Sequence, residues 1–410
     1  MKRLLYTILY VLWLTPASAA DEPSLGANLT GLLDYAREHN PELAASRYEA
    51  DAAAQRVKPA GALPEPVFRT QLRDVTHQAG NSSIYYRIMQ TLPAWGKRDL
   101  KREVAEAETR QAQGRSNVTW SELSARIKKS YAQYYLLTNS EKLTHELLDL
   151  LNNLEQVAQA RYATGLAAQQ DVIRAQVEQT GLRRDLVMVE TDQHHAMTRL
   201  NTLLQRQPHE SLAQPQHLRP LPAADKLEFA TLEERLKNKN PQLFTLDAQI
   251  VAAEKNRELT MKNRYPDVTV GVAPTQVGGQ IKEWELMFEL NIPLQQQSRR
   301  SREREADALL SAAQARKEAE ANQLLGDLVE NLLALNAAQR IEVLTTSSLL
   351  PQTETTFQAA LVGYQNGKVD FATLLDAQRQ ILKAKLDVLN AQVEAQIRLA
   401  EIEKLLGEEL

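Results

Sequence analysis

The tetrapeptide Asn40-Pro41-Glu42-Leu43 returns 200 residues later as Asn240-Pro241-Gln242-Leu243. Asparagine is a preferred N-cap residue, and proline is favoured in the first turn of a helix. Each copy therefore predicts the start of a helix. A short amphipathic helix is predicted before each one, at Leu29 to Glu38 and at Thr231 to Lys239. A chain that starts the same pair of helices twice is built from a repeat.

Other pairs of motifs recur in the same order and with nearly the same spacing. They are Leu92-Pro93 and Ile292-Pro293, Arg102-Glu103 and Arg302-Glu303, Tyr162-Ala163-Thr164-Gly165 and Tyr364-Gln365-Asn366-Gly367, and Ala175-Gln176 and Ala377-Gln378. Chance doublets do not stay in register over such a span. The sequence thus predicts a duplicated unit. Its parts are a first repeat over residues 21–206, a proline-rich linker over 207–225 and a second repeat over 226–410.

The composition favours long helices. Of 410 residues, 43 % are hydrophobic but only 5 % are aromatic, and the formal net charge is −4. Ala, Leu, Gln, Glu, Lys and Arg dominate, as is typical of long helices rather than of a sheet-rich core. No basic block, ring of aromatic residues or glycine-rich loop indicates a nucleic-acid partner.

The N-terminus has the order of a secretory signal peptide. Lys2-Arg3 precedes an apolar run from Leu4 to Leu14, which is followed by small residues up to Ala20. We expect residues 1–20 to form the signal, with cleavage after Ala19 or Ala20. The run is too short for a transmembrane helix, and no later stretch is longer. With no cysteine in the chain, we expect neither a disulfide nor an N-terminal lipidated cysteine.

Each repeat is predicted to hold two strands followed by a long helical hairpin. The strands fall at about 67–75 and 83–92 in the first repeat, and at about 267–273 and 282–291 in the second. From Trp95 to Arg161 there is no proline, and beyond Gly96 at its start the only glycine is Gly114, which predicts a helix about 100 Å long. Gly165 and Gly367 mark the tips where the long helices reverse, and Pro351 is expected to bend the second one. The fold class is mainly α with a small β part, the long antiparallel helices pairing as coiled coils.

The fourth strand shows a period of two. Apolar side chains alternate with acidic ones at Glu283, Glu285 and Glu289. The alternation predicts one apolar and one acidic face. The apolar face comprises Trp284, Leu286, Phe288 and Leu290.

Two hairpins with apolar faces are not stable alone in water. One solution is packing on the helices, as in many soluble folds. The other is closure across chains, because a lipid-spanning sheet cannot leave its edges unpaired. Four strands are too few for a barrel, whereas three chains of four strands would supply twelve. We expect the second solution, a homotrimer with the apolar face toward lipid.

No catalytic constellation is present, and we predict neither an enzyme nor a cofactor. The sequence lacks a cysteine nucleophile, a Gly-x-Ser-x-Gly motif, a phosphate-binding loop and a His-Glu-x-x-His motif. The doublet His194-His195 is a poor metal ligand, because adjacent residues point about 100° apart on a helix. We therefore predict no metal site.

The ordered set of motifs resembles the TolC-like outer-membrane efflux proteins. The features that carry the resemblance are the repeat order, the Asn-Pro-x-Leu helix starts, Gln90-Thr91-Leu92-Pro93 at the end of a strand and the Tyr-x-x-Gly tips. The resemblance implies a trimer with a twelve-stranded barrel in the outer membrane of a Gram-negative bacterium and an α-helical tunnel in the periplasm. It also implies two partners, a periplasmic adaptor (membrane-fusion) protein and an inner-membrane transporter.

Two short segments look like a narrower group, the CusC and CzcC class that works with heavy-metal pumps of the resistance–nodulation–division type. They are Ala62-Leu63-Pro64-Glu65-Pro66 and Trp95-Gly96-Lys97-Arg98. Many members of that class carry a lipidated N-terminal cysteine, which this chain does not have. Export of heavy-metal ions is the expectation that follows.

The family resemblance also implies a periplasmic aperture just beyond the tips. On that pattern Asp376 matches one aperture position, and Thr373 takes another where better-known members have Asp. Asp370 and Asp171 follow their tips closely and are further candidates. The tip turns themselves, with Tyr162 and Gly165 in one and Tyr364 and Gly367 in the other, are expected to meet the adaptor.

Cations cluster where the two long helices begin, although a positive charge is unfavourable at a helix N-terminus. We expect phospholipid head groups at the periplasmic rim of the barrel to offset them, with Trp95 in the aromatic belt. Solvated charge is the simpler alternative. The rim residues are Trp95, Lys97, Arg98, Arg299, Arg300 and Arg302.

Two other functions remain open at this stage. A duct for type I protein secretion has the same parts. A periplasmic coiled-coil adaptor or structural protein would carry one helical hairpin flanked by compact β domains, whereas this chain has two hairpins and few strands.

Overall fold

The computed structural model describes residues 25–73 and 83–410. The predicted signal peptide at residues 1–20, and residues 74–75 of the first predicted strand, lie outside this part of the chain.

The first repeat begins with two short helices and ends with a long helical hairpin. Its elements are α1 (Leu29–His39), α2 (Pro41–Ala60), β1 (Val67–Arg73), β2 (Ser83–Leu92), α3 (Lys97–Ala163) and α4 (Gln169–Leu203). Residues 206–223, which connect the repeats, form neither helix nor strand.

The second repeat follows the same order after a short 3₁₀ turn, Ala224–Leu227. Its elements are α5 (Phe229–Lys239), α6 (Pro241–Lys262), β3 (Asp267–Val277), β4 (Gln280–Asn291), α7 (Gln296–Leu344), α8 (Leu350–Gln365) and α9 (Phe371–Leu406). β3 continues four residues beyond its predicted end at 273, because the hairpin turn is confined to Gly278 and Gly279. Both glycines have positive φ, of 61° and 85°, as a tight two-residue hairpin turn requires.

The second long helix, in which a bend at Pro351 was predicted, is interrupted. A π-helical turn, Thr345–Leu349, separates α7 from α8 directly before Pro351. A proline inside a helix removes one hydrogen bond and crowds the carbonyl group four residues earlier. A wider π turn accommodates both effects, so the predicted bend takes the form of a local change in helix type.

The duplicated asparagines each join two helices. Asn40 Oδ1 accepts from the Leu43 amide at 3.1 Å, and Asn40 Nδ2 donates to the Leu203 carbonyl at 2.9 Å. Asn240 repeats this arrangement, accepting from the amide of Leu243 at 2.7 Å and donating to the carbonyl of Leu405 at 2.7 Å. An N-cap contributes about 1 kcal/mol, and a buried polar group left unpaired costs about 1–3 kcal/mol. In each repeat, the asparagine side chain thus caps the start of one helix and bonds to the last turn of the helix that returns from the tip.

The four strands form one antiparallel sheet in the order β1-β2-β3-β4. The β1–β2 and β3–β4 pairs are hairpins within a repeat, and β2 pairs with β3 between repeats, with Leu92 opposite Val268. The Oγ1 atoms of Thr91 and Thr269 lie 3.1 Å apart across this central pair. β1 and β4 are the two edges of the sheet in a single chain.

Three large clusters of buried side chains lie along the helices, beside a small one of Ala50, Ala53 and Ala112 between α2 and α3. One joins α3, α4, α8 and α9 near the tips, and each of the others fills one repeat nearer the sheet. Between the latter two, Lys128 Nζ of α3 lies 2.9 Å from Glu403 Oε2 of α9. Arg219 of the connecting segment lies 2.7 Å from the other carboxylate oxygen of Glu403. The buried carboxylate of Glu403 thus links the first repeat, the second repeat and the segment that connects them.

No helix among residues 25–73 and 83–410 is long and apolar enough to cross a membrane.

Gly114 marks the close approach of α3 to α6 and supplies a test of the packing. A Cβ atom at Gly114 would lie 2.3 Å from Thr245 Oγ1 and 3.1 Å from Thr245 Cα, whereas at Gly181 in α4 it would meet no described atom within 4 Å. We expect Gly114→Ala to lower the free energy of unfolding by about 1–3 kcal/mol, because the helices must separate. Gly181→Ala should raise it by up to ~1 kcal/mol, since alanine is the better helix former.

Thermal unfolding of the detergent-purified protein, followed by far-UV circular dichroism, measures both changes. Equal midpoints for the two variants would contradict the close approach at Gly114.

Candidate functional site: the helical tips and the sheet

The two tips have the same backbone geometry. Gly165 and Gly367 adopt positive φ angles of 74° and 70°. The amide of Leu166 donates to the Arg161 carbonyl, and the amide of Lys368 donates to the Gly363 carbonyl, both at 2.8 Å. Such bonds end a helix when glycine takes the left-handed conformation. The predicted reversals therefore occur at the expected residues.

The two tip tyrosines have different surroundings. Tyr162 is 47 % exposed, whereas Tyr364 is only 3 % exposed. The Tyr364 ring packs on Phe371 with ring centroids 5.2 Å apart, and its hydroxyl donates to Asp171 Oδ2 at 3.3 Å. Burial, with the nearby charge of Asp171, raises the pKa of Tyr364 to about 12. The protonated hydroxyl of the second hairpin is thus bonded to the first hairpin.

Arg161 bonds to both tips. The sequence analysis did not predict this role. Its guanidinium donates to the Gln365 carbonyl of the second tip and to the Leu166 carbonyl of the first at 3.2 Å. It also lies 5.0 Å from the centroid of the Tyr364 ring. A basic residue in the last turn of a helix is common because it complements the helix dipole. That signal does not reveal a bond to another hairpin.

Asp376 of α9 is ion-paired with Arg379, which is in turn ion-paired with Glu178. Arg379 Nη1 lies 3.2 Å from Asp376 Oδ1, and Arg379 Nε donates to Glu178 Oε1 of α4 at 2.8 Å. The bond to Glu178 is the main cause that raises the pKa of Arg379. The side chain of Asp376 remains 66 % exposed. Asp376 is therefore available to solvent beside an arginine that bridges the two hairpins.

Asp370 and Thr373 are bonded to each other. Asp370 is the N-cap of α9, and its Oδ1 accepts from the Thr373 amide at 2.8 Å and from the Thr373 hydroxyl at 2.6 Å. These bonds hold the pKa of Asp370 below its usual range. The corresponding N-cap of α4 is Ala168, which has no capping side chain. The structure thus gives Asp370 a capping role, and its place in an aperture stays a prediction.

The strand register collects apolar side chains on one face of the sheet. Phe68, Ile88, Val272 and Leu286 are successive partners across the four strands. Phe68, Ile88 and Leu286 are exposed, the last to 76 %. Within β4, the neighbours on this face are Trp284, Phe288 and Leu290, which are also exposed.

The opposite face is polar. Arg69 is paired with Arg87, and Glu285 and Glu289 of β4 lie opposite Ala273 and Thr269. The alternation read from β4 alone thus extends over all four strands.

The expected rim residues differ in their contacts. Lys97 is buried, and its Nζ lies 2.8 Å from Asp267 Oδ1 and 2.9 Å from the Tyr265 carbonyl. Its charge is therefore offset by a carboxylate of this chain, and the expected lipid head group is wrong for this residue. Arg98 Nε donates to the Gly61 carbonyl at 2.9 Å. Trp95 is 94 % exposed.

The cations at the start of α7 are less enclosed. Arg299 bonds to Gln296 within its own helix and lies 3.5 Å from Glu303. Arg300 and Arg302 are exposed. Their expected contact with head groups stays a prediction.

The structure also brings together a set of metal-ligating side chains that the sequence analysis missed. Glu141 and His145 of α3 and Glu190 of α4 each offer a ligand atom, and these atoms lie within 4.8 Å of one another. The available signal was the Glu-x-x-x-His spacing, which places both residues on one helix face. The third ligand comes from another helix and cannot be read from that spacing. The doublet His194-His195 is exposed.

The family model described as "Outer membrane efflux protein" matches residues 32–205 and 232–408. The two matched ranges coincide closely with the two structural repeats, and together they cover most of the chain.

Individual relatives agree over nearly the whole length. The cobalt-zinc-cadmium resistance protein CzcC of Cupriavidus metallidurans is 24 % identical over 385 residues, which are 92 % of this chain and 90 % of that protein. The outer membrane protein VceC of Vibrio cholerae superimposes with a TM-score of 0.78 at 18 % identity, covering 93 % of this chain and 96 % of VceC. CusC superimposes with a TM-score of 0.80 at 15 % identity, covering 93 % and 92 %.

The duplicated repeat, the four-stranded sheet beside long helical hairpins and the match to both repeats lead to one conclusion: the chain belongs to the outer membrane efflux protein family.

Proposed function

We propose that three copies of this chain form the exit duct of a tripartite efflux system. The observation that carries this proposal is the sheet, whose two edges are open and whose one face is apolar across all four strands. Twelve strands from three chains close a barrel of ordinary size. The helical hairpins continue from the barrel as a tunnel.

The sheet chemistry fits a lipid environment. Exposed apolar side chains on one face gain from contact with acyl chains, and the opposite face keeps its charges in a water-filled lumen. Unpaired strand edges are costly in lipid because no water is present to satisfy their amides and carbonyls. We therefore place the sheet in the outer membrane of a Gram-negative bacterium, after export by the signal at residues 1–20.

The tips are the proposed contact with a periplasmic adaptor. Tyr162 and Leu166 are 47 % and 67 % exposed in the first tip. Tyr364 is buried and bonded to Asp171, so in the second tip the adaptor would meet backbone and Lys368 instead of the ring. The proposed source of energy is an inner-membrane transporter of the resistance–nodulation–division type.

We propose that the tip bonds hold the duct closed. Arg161 and Tyr364 link the second tip to the first, and Arg379 links α9 to Glu178 of α4. Outward movement of the second hairpin would break these contacts together. In the closed duct, Asp376 from three chains would line the aperture, with Arg379 offsetting part of the repulsion between the carboxylates.

The proposed cargo is heavy-metal ions. The support is the likeness to a cobalt-zinc-cadmium resistance protein over 92 % of the chain, together with the Trp95-Gly96-Lys97-Arg98 segment. The substrate is chosen by the inner-membrane transporter, so a drug or a secreted protein as cargo would identify a different partner and leave the duct unchanged.

Head groups at the rim are proposed for four exposed residues. Trp95, Arg98, Arg300 and Arg302 surround the sheet end of the long helices, where anionic phosphates would offset the guanidinium charges. Lys97 is not among them, because its charge is already paired with Asp267.

Adjacent positions in β4 test the proposed faces of the sheet. Leu286→Arg should destabilise membrane assembly by about 2–4 kcal/mol if the site is near the midplane, because it places a charge in lipid. Glu285→Arg should assemble normally and change the conductance only. The yield of heat-resistant oligomer in outer-membrane fractions and planar-bilayer conductance measure the two effects. Assembly lost with Glu285→Arg but kept with Leu286→Arg would show that the faces are reversed.

Asp376→Ala tests the aperture. A trivalent cation about 8 Å from a carboxylate gains on the order of 1 kcal/mol from it in water. Because the variant removes this carboxylate from all three chains, it should need at least about fivefold more hexamminecobalt to block conductance in planar bilayers. Glu354→Ala, which removes an exposed acid from α8, is the control and should leave the block curve unchanged. Identical block curves for wild type and Asp376→Ala would place Asp376 outside the aperture.

A further inference from the structure

The geometry points to a binding site for a divalent transition-metal ion between α3 and α4, formed by Glu141, His145 and Glu190. The site lies on the first helical hairpin, 24 residues before Gly165, which corresponds to about 36 Å along the helix axis. It is separate from the tip bonds and from the sheet, and its occupancy is measurable on the purified protein without any transport assay.

Two elements position the three ligands. Glu141 and His145 are four residues apart in α3, so their side chains lie one turn apart on the same helix face. Glu190 faces them from α4, which runs back along α3. One ligand atom from each residue lies within 4.8 Å of the other two. Bonds of about 2.0–2.2 Å to a tetrahedral ion place ligand atoms roughly 3.5 Å apart, so small side-chain rotations complete the site.

The ligand types favour a particular class of ion. One imidazole nitrogen and two carboxylate oxygens suit Zn²⁺, Co²⁺ and similar divalent ions, whereas soft monovalent ions such as Cu⁺ prefer sulfur ligands. Three protein ligands leave at least one coordination position for water. An ion held in this way can exchange with solvent.

A neighbouring side chain already orients one of the ligands. Gln193 Nε2 of α4 donates to Glu141 Oε2 at 2.8 Å and lies 3.2 Å from Thr138 Oγ1. A hydrogen bond to one carboxylate oxygen directs the other oxygen toward the remaining ligands. Partners of this kind fix ligand orientation in known metal sites.

The local charge also favours a cation. Glu141 and Glu190 approach each other from facing helices. Within residues 25–73 and 83–410, neither carboxylate lies in an ion pair with a lysine or arginine, whereas Glu178, nearer the tip of α4, is paired with Arg379. A divalent ion would offset both negative charges at once and link α3 to α4.

Cobalt(II) titration of the detergent-purified, untagged full protein tests the site, because Co²⁺ bound by protein ligands absorbs visible light. We expect the absorbance to saturate at one Co²⁺ per chain and to be abolished by Zn²⁺. His145→Ala and Glu190→Gln should each weaken binding by at least about tenfold. Loss of a side chain that only orients a metal ligand already lowers metal affinity by that factor, and these two residues are ligands themselves. His195→Ala removes a nearby exposed histidine outside the set and should leave the isotherm unchanged.

Zn²⁺ should also raise the thermal unfolding midpoint of the unaltered protein and of His195→Ala, because it binds the folded state, but not that of His145→Ala. Isotherms of His145→Ala and Glu190→Gln that coincide with that of the unaltered protein would overturn the proposal. So would an equal loss of binding in His195→Ala.

Discussion

The open edges of the four-stranded sheet are the constraint on which the rest of the structure depends. β1 and β4 each present a row of backbone amides and carbonyls that no other strand within residues 25–73 and 83–410 pairs, beside a face of exposed apolar side chains. In lipid such edges must be paired. Duplication supplies four strands per chain, and the pairing of β2 with β3 joins the repeats into one sheet. In the proposed duct, assembly of three chains closes this sheet, and the long helices continue away from the membrane.

The two repeats make the same side-chain contacts where their helices meet, but different ones at the tips. Asn40 and Asn240 make the same two bonds, because each repeat must join the start of one helix to the end of the returning helix. At the tips only the backbone is shared. Tyr364 is buried and bonded across hairpins, whereas Tyr162 is half exposed. The proposed opening, in which the second hairpin moves away from the first, would use this asymmetry.

The sequence predicts local features well and contacts between distant segments poorly. Asn-Pro helix starts, positive-φ glycines and a period of two depend on neighbouring residues, so these elements were found close to their observed bounds. The bonds of Arg161 to the second tip, of Lys97 to Asp267 and of Arg379 to Glu178 join residues 170 to 204 positions apart. A lone cation at a helix end does not reveal which distant partner it meets. For the same reason the grouping of Glu190 with Glu141 and His145 needed the structure.

Disulfide cross-linking between the two edge strands tests the closure most directly. The chain has no cysteine, so Thr70→Cys in β1 can be combined singly with cysteine at Trp284, Leu286 or Phe288 of β4. Within one chain these strands are three spacings apart, about 14 Å, which is too far for a disulfide. The account predicts that oxidised outer membranes yield cross-linked bands of two and three chains and none larger. Monomers alone for every pair, or a ladder continuing beyond three chains, would contradict it.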